Sequence, residues 1–295
     1  VSTENGDTEG NIEGIPADAG YGKYGGSVAA DNSGTLTYVS IRHGGITIGE
    51  GNELNGLTLG GVGSGTVIER DLDVLMDRTK FRPIPAGRMS VNSAFLLASL
   101  FTIFGIVILY IINPQTAMFG AISIFLYTSA YTPLKTKTPL AVFVGAIPGA
   151  IPFMLGWVAA TNDFGIEPGT LFMLQFFWQF PHFWAIGWFL HDDYQKAGFN
   201  MLPTGKQDKA TATQIIMYTV WTIIVSILPV FGVTGNLQLT ILGAIIVGLI
   251  GLVMLYYAIQ LFKKRTVLSA RQLMLASVIY ISLVQVVYVA DKFIR

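Results

Sequence analysis

The chain changes its hydrophobic rhythm once, near residue 66. Before that point polar and apolar residues alternate in short stretches: Gly34-Thr35-Leu36-Thr37-Tyr38-Val39-Ser40-Ile41, Gly44-Gly45-Ile46-Thr47-Ile48 and Leu54-Asn55-Gly56-Leu57-Thr58-Leu59. Alternation with period two sends successive side chains to opposite faces, so each stretch reads as a half-buried strand. Gly, Asn and Asp separate the stretches at near-regular intervals, as between rungs of a parallel β-helix that bury their apolar faces on one another. Two or three rungs close too little core to be stable alone, and residues 1–30 read as a flexible polar lead.

Beyond residue 66 the pattern predicts seven membrane-spanning helices, at about 91–112, 115–133, 139–160, 169–190, 214–232, 238–261 and 272–290. A rise of about 1.5 Å per residue carries each across a hydrocarbon core of roughly 30 Å. Charge supports the count. Lys and Arg fall at 78–88, at Lys135 and Lys137, from Lys196 to Lys209, and from Lys263 to Arg271, while loops 113–115, 161–169 and 232–238 carry none. These are alternate loops, so the positive-inside rule places the basic ones in the cytoplasm. The fold class predicted is an all-α polytopic membrane protein preceded by a short Gly-rich β-type segment.

Composition agrees: 52% of residues are hydrophobic and 12% charged, with a mean hydropathy of +0.56, which points to a lipid bilayer as solvent. A formal charge of zero and the absence of a basic tract give no reason to expect nucleic acid. No cysteine is present, which excludes disulfides, thiolate metal sites and thiol nucleophiles. The chain opens at Val1 without a charged and apolar leader, so neither a signal peptide nor a true start is expected there.

Two acidic clusters fall on the basic side of the membrane. The first is Glu69-Arg70-Asp71-Leu72-Asp73-Val74-Leu75-Met76-Asp77-Arg78-Thr79, and the second is His191-Asp192-Asp193-Tyr194-Gln195-Lys196. If 66–78 is helical, Glu69, Asp73 and Asp77 share one face and repel. Neighbouring arginines or a hard divalent cation must then sit among them, and oxygen ligands suit Mg²⁺ held through substrate phosphates. A solvated loop with its own salt bridges is the plainer reading. Arg78, Lys80, Arg82 and Arg88 could grip a diphosphate, although a base beside a helix end, as at Arg88, is ordinarily a topology anchor. His182 lies inside an apolar run beside Gln179 and Pro181, where a polar group is either functional or orders the bundle through an interhelical hydrogen bond. His191 reads as interfacial and Asp163 as a loop residue, and His43 has no assignable role.

These stretches resemble, in order, the intramembrane UbiA-type prenyltransferases, in the version found in protoheme IX farnesyltransferases. The first cluster with Arg82-Pro83-Ile84-Pro85-Ala86-Gly87 is similar to the family's first acidic motif. Tyr131-Thr132-Pro133-Leu134-Lys135, Gly145-Ala146-Ile147-Pro148-Gly149-Ala150-Ile151-Pro152 and Gly156-Trp157 resemble its next helices. Trp178-Gln179-Phe180-Pro181-His182-Phe183, the second cluster with Ala197-Gly198, and Met201-Leu202-Pro203 resemble its second signature. The resemblance spans about residues 67–291.

It implies a nine-helix bundle whose cavity opens at a cytoplasmic mouth, in the cell's inner membrane, and transfer of farnesyl from farnesyl diphosphate to a vinyl group of heme b. It further implies Mg²⁺ carried as the diphosphate complex, with heme b a substrate rather than a cofactor, and association with other heme-biosynthesis or terminal-oxidase assembly proteins. Glu69 and Asp73, then Asp192 and Asp193, take the metal-binding roles, and Glu69, Asp73, Asp193 and Lys196 the catalytic ones. Arg78, Lys80, Arg82 and Lys196 take the diphosphate, and His182, Gln179 and Tyr194 the acceptor.

One departure stands out. Four residues before Glu69 the family has Asn, on its second helix, whereas this chain has Gly65 within Gly63-Ser64-Gly65-Thr66-Val67-Ile68. Residues 1–66 resemble instead a β-helical fragment of secreted bacterial surface proteins, and 67–295 a prenyltransferase domain lacking its first two helices. The join reads as a recombination scar or an assembly artefact rather than an evolved fusion. A membrane-anchored β-helical surface protein, or a catalytically dead fusion, is the alternative. A transporter would set ionisable groups at mid-membrane and repeat its halves, and neither pattern is present.

Overall fold

The computed structural model describes residues 72–77 and 79–294, together with four strand segments nearer the start of the chain. Glu69, Arg78, His43 and the predicted strands at 34–41 and 54–59 lie outside the described residues. The chain divides into Val1–Gly60 and Gly61–Arg295. In the first unit β1 (Gly10–Asn11) pairs with β2 (Lys23–Tyr24), and β3 (Thr47–Gly49) with β4 (Asn52–Glu53). Both pairings are antiparallel, so the strand predicted at 44–48 meets its neighbour as a hairpin does and not as a parallel rung.

The second unit is helical: α1 (Val91–Ile112), α2 (Pro114–Leu126), α3 (Leu140–Thr161), α4 (Ile166–Phe189), short α5 (His191–Lys196), α6 (Lys209–Ile227), α7 (Ile241–Lys264) and α8 (Val267–Ile294). A π-turn, Tyr127–Tyr131, and a last turn, Thr132–Leu134, extend α2. The chain is an all-α polytopic membrane protein. Among the described residues six helices are long and apolar enough to cross a bilayer. The span predicted at 169–190 is present as α4, which falls short of that apolarity because it carries Glu167, Gln175, Gln179 and His182. Its position permits this: α4 packs on α3, α6 and α8 at once, so its polar groups face protein rather than lipid. By contrast α1 has no buried residue, as suits a helix whose partner is lipid.

Backbone polar groups freed inside a bilayer must find partners within the protein, and the prolines show how. Pro152 lacks an N–H, so the Pro148 carbonyl one turn earlier in α3 has no helical donor, and the Ser123 hydroxyl of α2 supplies one at 3.0 Å. Asn113 joins α1 to α2: its Oδ1 accepts the Thr116 N–H at 2.8 Å and its Nδ2 donates to the Val158 carbonyl at 3.0 Å. On α7, Gly251 leaves room for Ile223 of α6, which a Cβ would meet at 2.7 Å.

At the end of the bundle away from the basic loops, two buried carboxylates fasten the connection between α6 and α7. Glu167, 8% exposed, accepts the Asn236 backbone N–H at 2.8 Å. Asp291, 4% exposed, accepts the Thr240 backbone N–H at 3.0 Å and the Thr240 hydroxyl. Thr240 in turn caps α7 by accepting the Gly243 N–H at 3.0 Å.

Candidate active site at the basic mouth

One helical turn, 72–75, carries Asp73. The helix stops there: the Asp77 N–H, which would continue it onto the Asp73 carbonyl, donates instead to Asp193 Oδ1, and the Thr79 hydroxyl takes that carbonyl at 2.8 Å. The stop separates two carboxylates that a continuous helix would have placed on one face. Asp73 turns inward with its side chain 12% exposed and takes a 2.9 Å ion pair from Arg82. Asp77 turns outward at 66% exposed, with Lys80 Nζ at 2.8 Å on one oxygen and Lys196 Nζ at 2.6 Å on the other. Side-chain cations of the same mouth, Lys80, Arg82 and Lys196, thus sit beside these carboxylates.

The second cluster closes on the first. Asp193 Oδ1 on α5 accepts the Asp77 backbone N–H at 2.9 Å, and Lys196 lies 3.8 Å from the same carboxylate. The segment after α5 is tied to the end of α2 by the Asn200 N–H, which donates to the Lys135 carbonyl at 3.1 Å. Three stretches far apart in sequence thus enclose one cavity of about 110 Å³. Asp73, Met76, Thr79 and Arg82 line it from the first, Tyr131 and Lys135 from the second, and Tyr194, Phe199 and Met201 from the third.

Of the residues singled out in the sequence, Asp73, Arg82 and Tyr194 line this cavity, and Lys80, Asp193 and Lys196 belong to the ion-pair network beside it. Asp192 is exposed on α5. Gln179 and His182 lie elsewhere, in interhelical contacts. Gln179, 3% exposed, donates to the Ala146 carbonyl at 2.9 Å. His182 Nδ1 is 2.8 Å from Ser277 Oγ, and its ring stacks on Trp178 at 4.6 Å. Lys135 and Tyr131 had no role in the sequence reading. Their spacing of four, across Pro133 at the basic end of a span, was the available signal, and the Lys135 ammonium sits 4.5 Å from the Tyr131 ring centroid.

Among the described residues no three carboxylates or histidines gather closely enough to hold a metal ion by themselves. Asp73 and Asp193 could each offer an oxygen, which fits Mg²⁺ arriving on a diphosphate better than a free cation, since Mg²⁺ binds through one or two carboxylates plus substrate phosphates.

The Asp77 carboxyl is held down to about 2, first by its hydrogen bond from Lys196 and then by that from Lys80, and Lys196 is correspondingly raised. A depressed acid stabilises the folded mouth above its ordinary value of 3.8 and loses that contribution as pH falls through about 2. The raised lysine keeps its share until pH climbs past the ordinary lysine value of 10.5. The link between the clusters should therefore be constant across neutral pH. Amide exchange of Asp77, whose N–H is bonded to Asp193, should be protected equally at pH 5 and pH 8 once the intrinsic rate is removed. A tenfold difference between those pH values would contradict this.

Comparison with known proteins follows the same division of the chain. Residues 56–284 match the UbiA prenyltransferase family, and residues 5–72 match a pectate-lyase-like beta helix domain. The protoheme IX farnesyltransferase of Christiangramia forsetii is 72% identical over 229 residues, covering 78% of this chain and 76% of the relative. That of Flavobacterium psychrophilum is 71% identical over the same shares. A structure described as giving insights into digeranylgeranylglyceryl phosphate synthase in membranes superposes with a TM-score of 0.60 at 18% identity, over 78% of this chain and 81% of that one, a likeness of fold. With a family match over most of its length, the order of its motifs and their meeting at one membrane mouth, the chain belongs to the UbiA prenyltransferase family.

Proposed function

We propose that the chain transfers farnesyl from farnesyl diphosphate to a vinyl group of heme b, forming heme O. The observation that carries this reading is the meeting of Asp73, Arg82, Tyr131, Lys135 and Tyr194 around one cavity, in a chain 72% identical to a protein named protoheme IX farnesyltransferase. Ionisation of the allylic C–O bond leaves negative charge on the diphosphate, which must be neutralised as it develops. Asp73 and Asp193, with Glu69 and Asp192 of the same motifs, would hold Mg²⁺, which when bound supplies that neutralising charge. Arg78, Lys80, Arg82, Lys135 and Lys196 hold the diphosphate oxygens. Arg82, Lys80 and Lys196 are kept near the mouth by Asp73 and Asp77 until substrate arrives. Rings of Tyr131, Tyr194 and Phe199 line the cavity, keep water from the farnesyl cation and offer π-faces to it. The vinyl carbon then forms the new C–C bond, and water adds to the resulting cation and gives up a proton to solvent, leaving the hydroxyethylfarnesyl group. Tyr194 meets the acceptor directly, while Gln179 and His182 act on it only through the helices they join.

The basic loops all lie at the cavity's end of the bundle, which supports an inner-membrane protein with its active site facing the cytoplasm. Residues 1–66 are foreign to the enzyme and 67–295 are its catalytic part. The division at residue 60 and the two family matches support this.

The test is heme O formation from farnesyl diphosphate and heme b in Mg²⁺-containing membranes. It compares this chain with a version whose residues 1–68 are replaced by two helices ending in the family's Asn motif. The replacement should raise the rate by roughly 100-fold, the effect of restoring a charge-stabilising group to such a site. No heme O from either form would overturn the assignment.

A further inference from the structure

Tyr131 stands in the cavity wall only because position 145, behind it, has no side chain. We propose that Gly145 is a positioning residue for the diphosphate-binding end of the donor site, an inference that rests on the prenyl-donor reading above. A Cβ on Gly145 would lie 2.6 Å from Cδ2 and 2.7 Å from Cε2 of the Tyr131 ring. Carbon atoms settle at about 3.5–4.0 Å, so the ring and not the α3 backbone would have to move. The ring has little freedom on its other sides. Tyr127 meets it edge-on at 5.5 Å, and the Lys135 ammonium lies over it at 4.5 Å from the centroid.

The backbone explains why the ring is aimed there. Thr132 reaches back five residues to the Tyr127 carbonyl, forming a π-turn just before Pro133. The extra residue rotates the last turn by about 100° relative to the helix below it. That rotated turn carries Tyr131 and Lys135 together into the cavity wall. Gly145 therefore acts through Tyr131 on a cation that lines the cavity.

The test uses the purified full chain in detergent with Mg²⁺ and farnesyl thiodiphosphate, a donor analogue that does not ionise, followed by calorimetry. Gly145→Ala should weaken binding about ten- to hundredfold, as misplacement by about 1 Å does at a preorganised site. Gly156→Ala, on the same helix with nothing within 4 Å of its Cβ, should leave it unchanged. In a Tyr131→Val background, Gly145→Ala should cause no additional loss. Equal weakening in both backgrounds would overturn the proposal, because the effect would not pass through the ring. If Gly145→Ala does not fold, recovery of folded protein by Tyr131→Val sustains the wedge and failure to recover refutes it. A second readout needs no donor: the acylation rate of Lys135, followed by mass spectrometry, should change in Gly145→Ala. An unchanged rate overturns the coupling. A changed rate in a chain that does not bind the analogue overturns the donor reading instead.

Discussion

Asp73→Asn should lower heme O formation by about 10²–10³-fold, the usual cost of removing one charge-stabilising group from a preorganised site. Asn has the same shape and can still accept a hydrogen bond from Arg82, so the substitution removes charge and little else. The turn that presents position 73 should survive, because the Thr79 hydroxyl donates to the Asp73 backbone carbonyl, at 2.8 Å, and not to its side chain. The rate is best measured in the form carrying the two-helix replacement, with Asp77→Asn beside it. Asp77 is two-thirds exposed and pairs outward with Lys80 and Lys196, so its loss should cost much less. Equal losses at 73 and 77 would mean that the inward turn of Asp73 has no catalytic meaning.

Asp291→Ala should destabilise the bundle by roughly 3 kcal/mol, since hydrogen bonds to a charged acceptor contribute about 1.5–3 kcal/mol each and this carboxylate accepts two from Thr240. For a bundle of this size that is a fall of about 6–12 °C in the detergent melting temperature. The carboxylate reaches the first turn of α7, where helix N–H groups favour negative charge. Gly243 makes the approach feasible, because a Cβ there would lie 2.6 Å from Asp291 Oδ1. Asp291→Asn keeps one acceptor and should lose less. Donor binding should be unchanged in both, since α8 begins at the basic mouth and carries Asp291 at its other end. An Asp291→Ala chain that melts with the parent would show that the α6–α7 connection is held by Glu167 and packing alone.

The spans were legible in the sequence because their signal is local. A run of apolar residues as long as a bilayer is thick leaves few alternatives to a helix, and the span read at 91–112 is the helix found there. The alternation of basic and base-free loops likewise ordered the helix ends before any packing was known. The family, too, was legible, because its motifs are runs of neighbouring residues.

What the tertiary structure decided lies in contacts between residues far apart in the chain. Asp73 and Asp77 have equivalent claims by spacing. A helix stop at Met76 and a partner 119 positions away, Lys196, determine which turns inward. His182 is an equally good ligand or helix tie on paper, and the contact the fold gives it is with Ser277, 95 residues later. Tyr131 and Lys135 become cavity residues through a π-turn and an empty position at Gly145. The physical reason is one of range. Hydrophobic length and charge bias act along the chain and can be read in order, whereas a side chain's role in a site depends on which distant groups packing brings within about 3 Å of it.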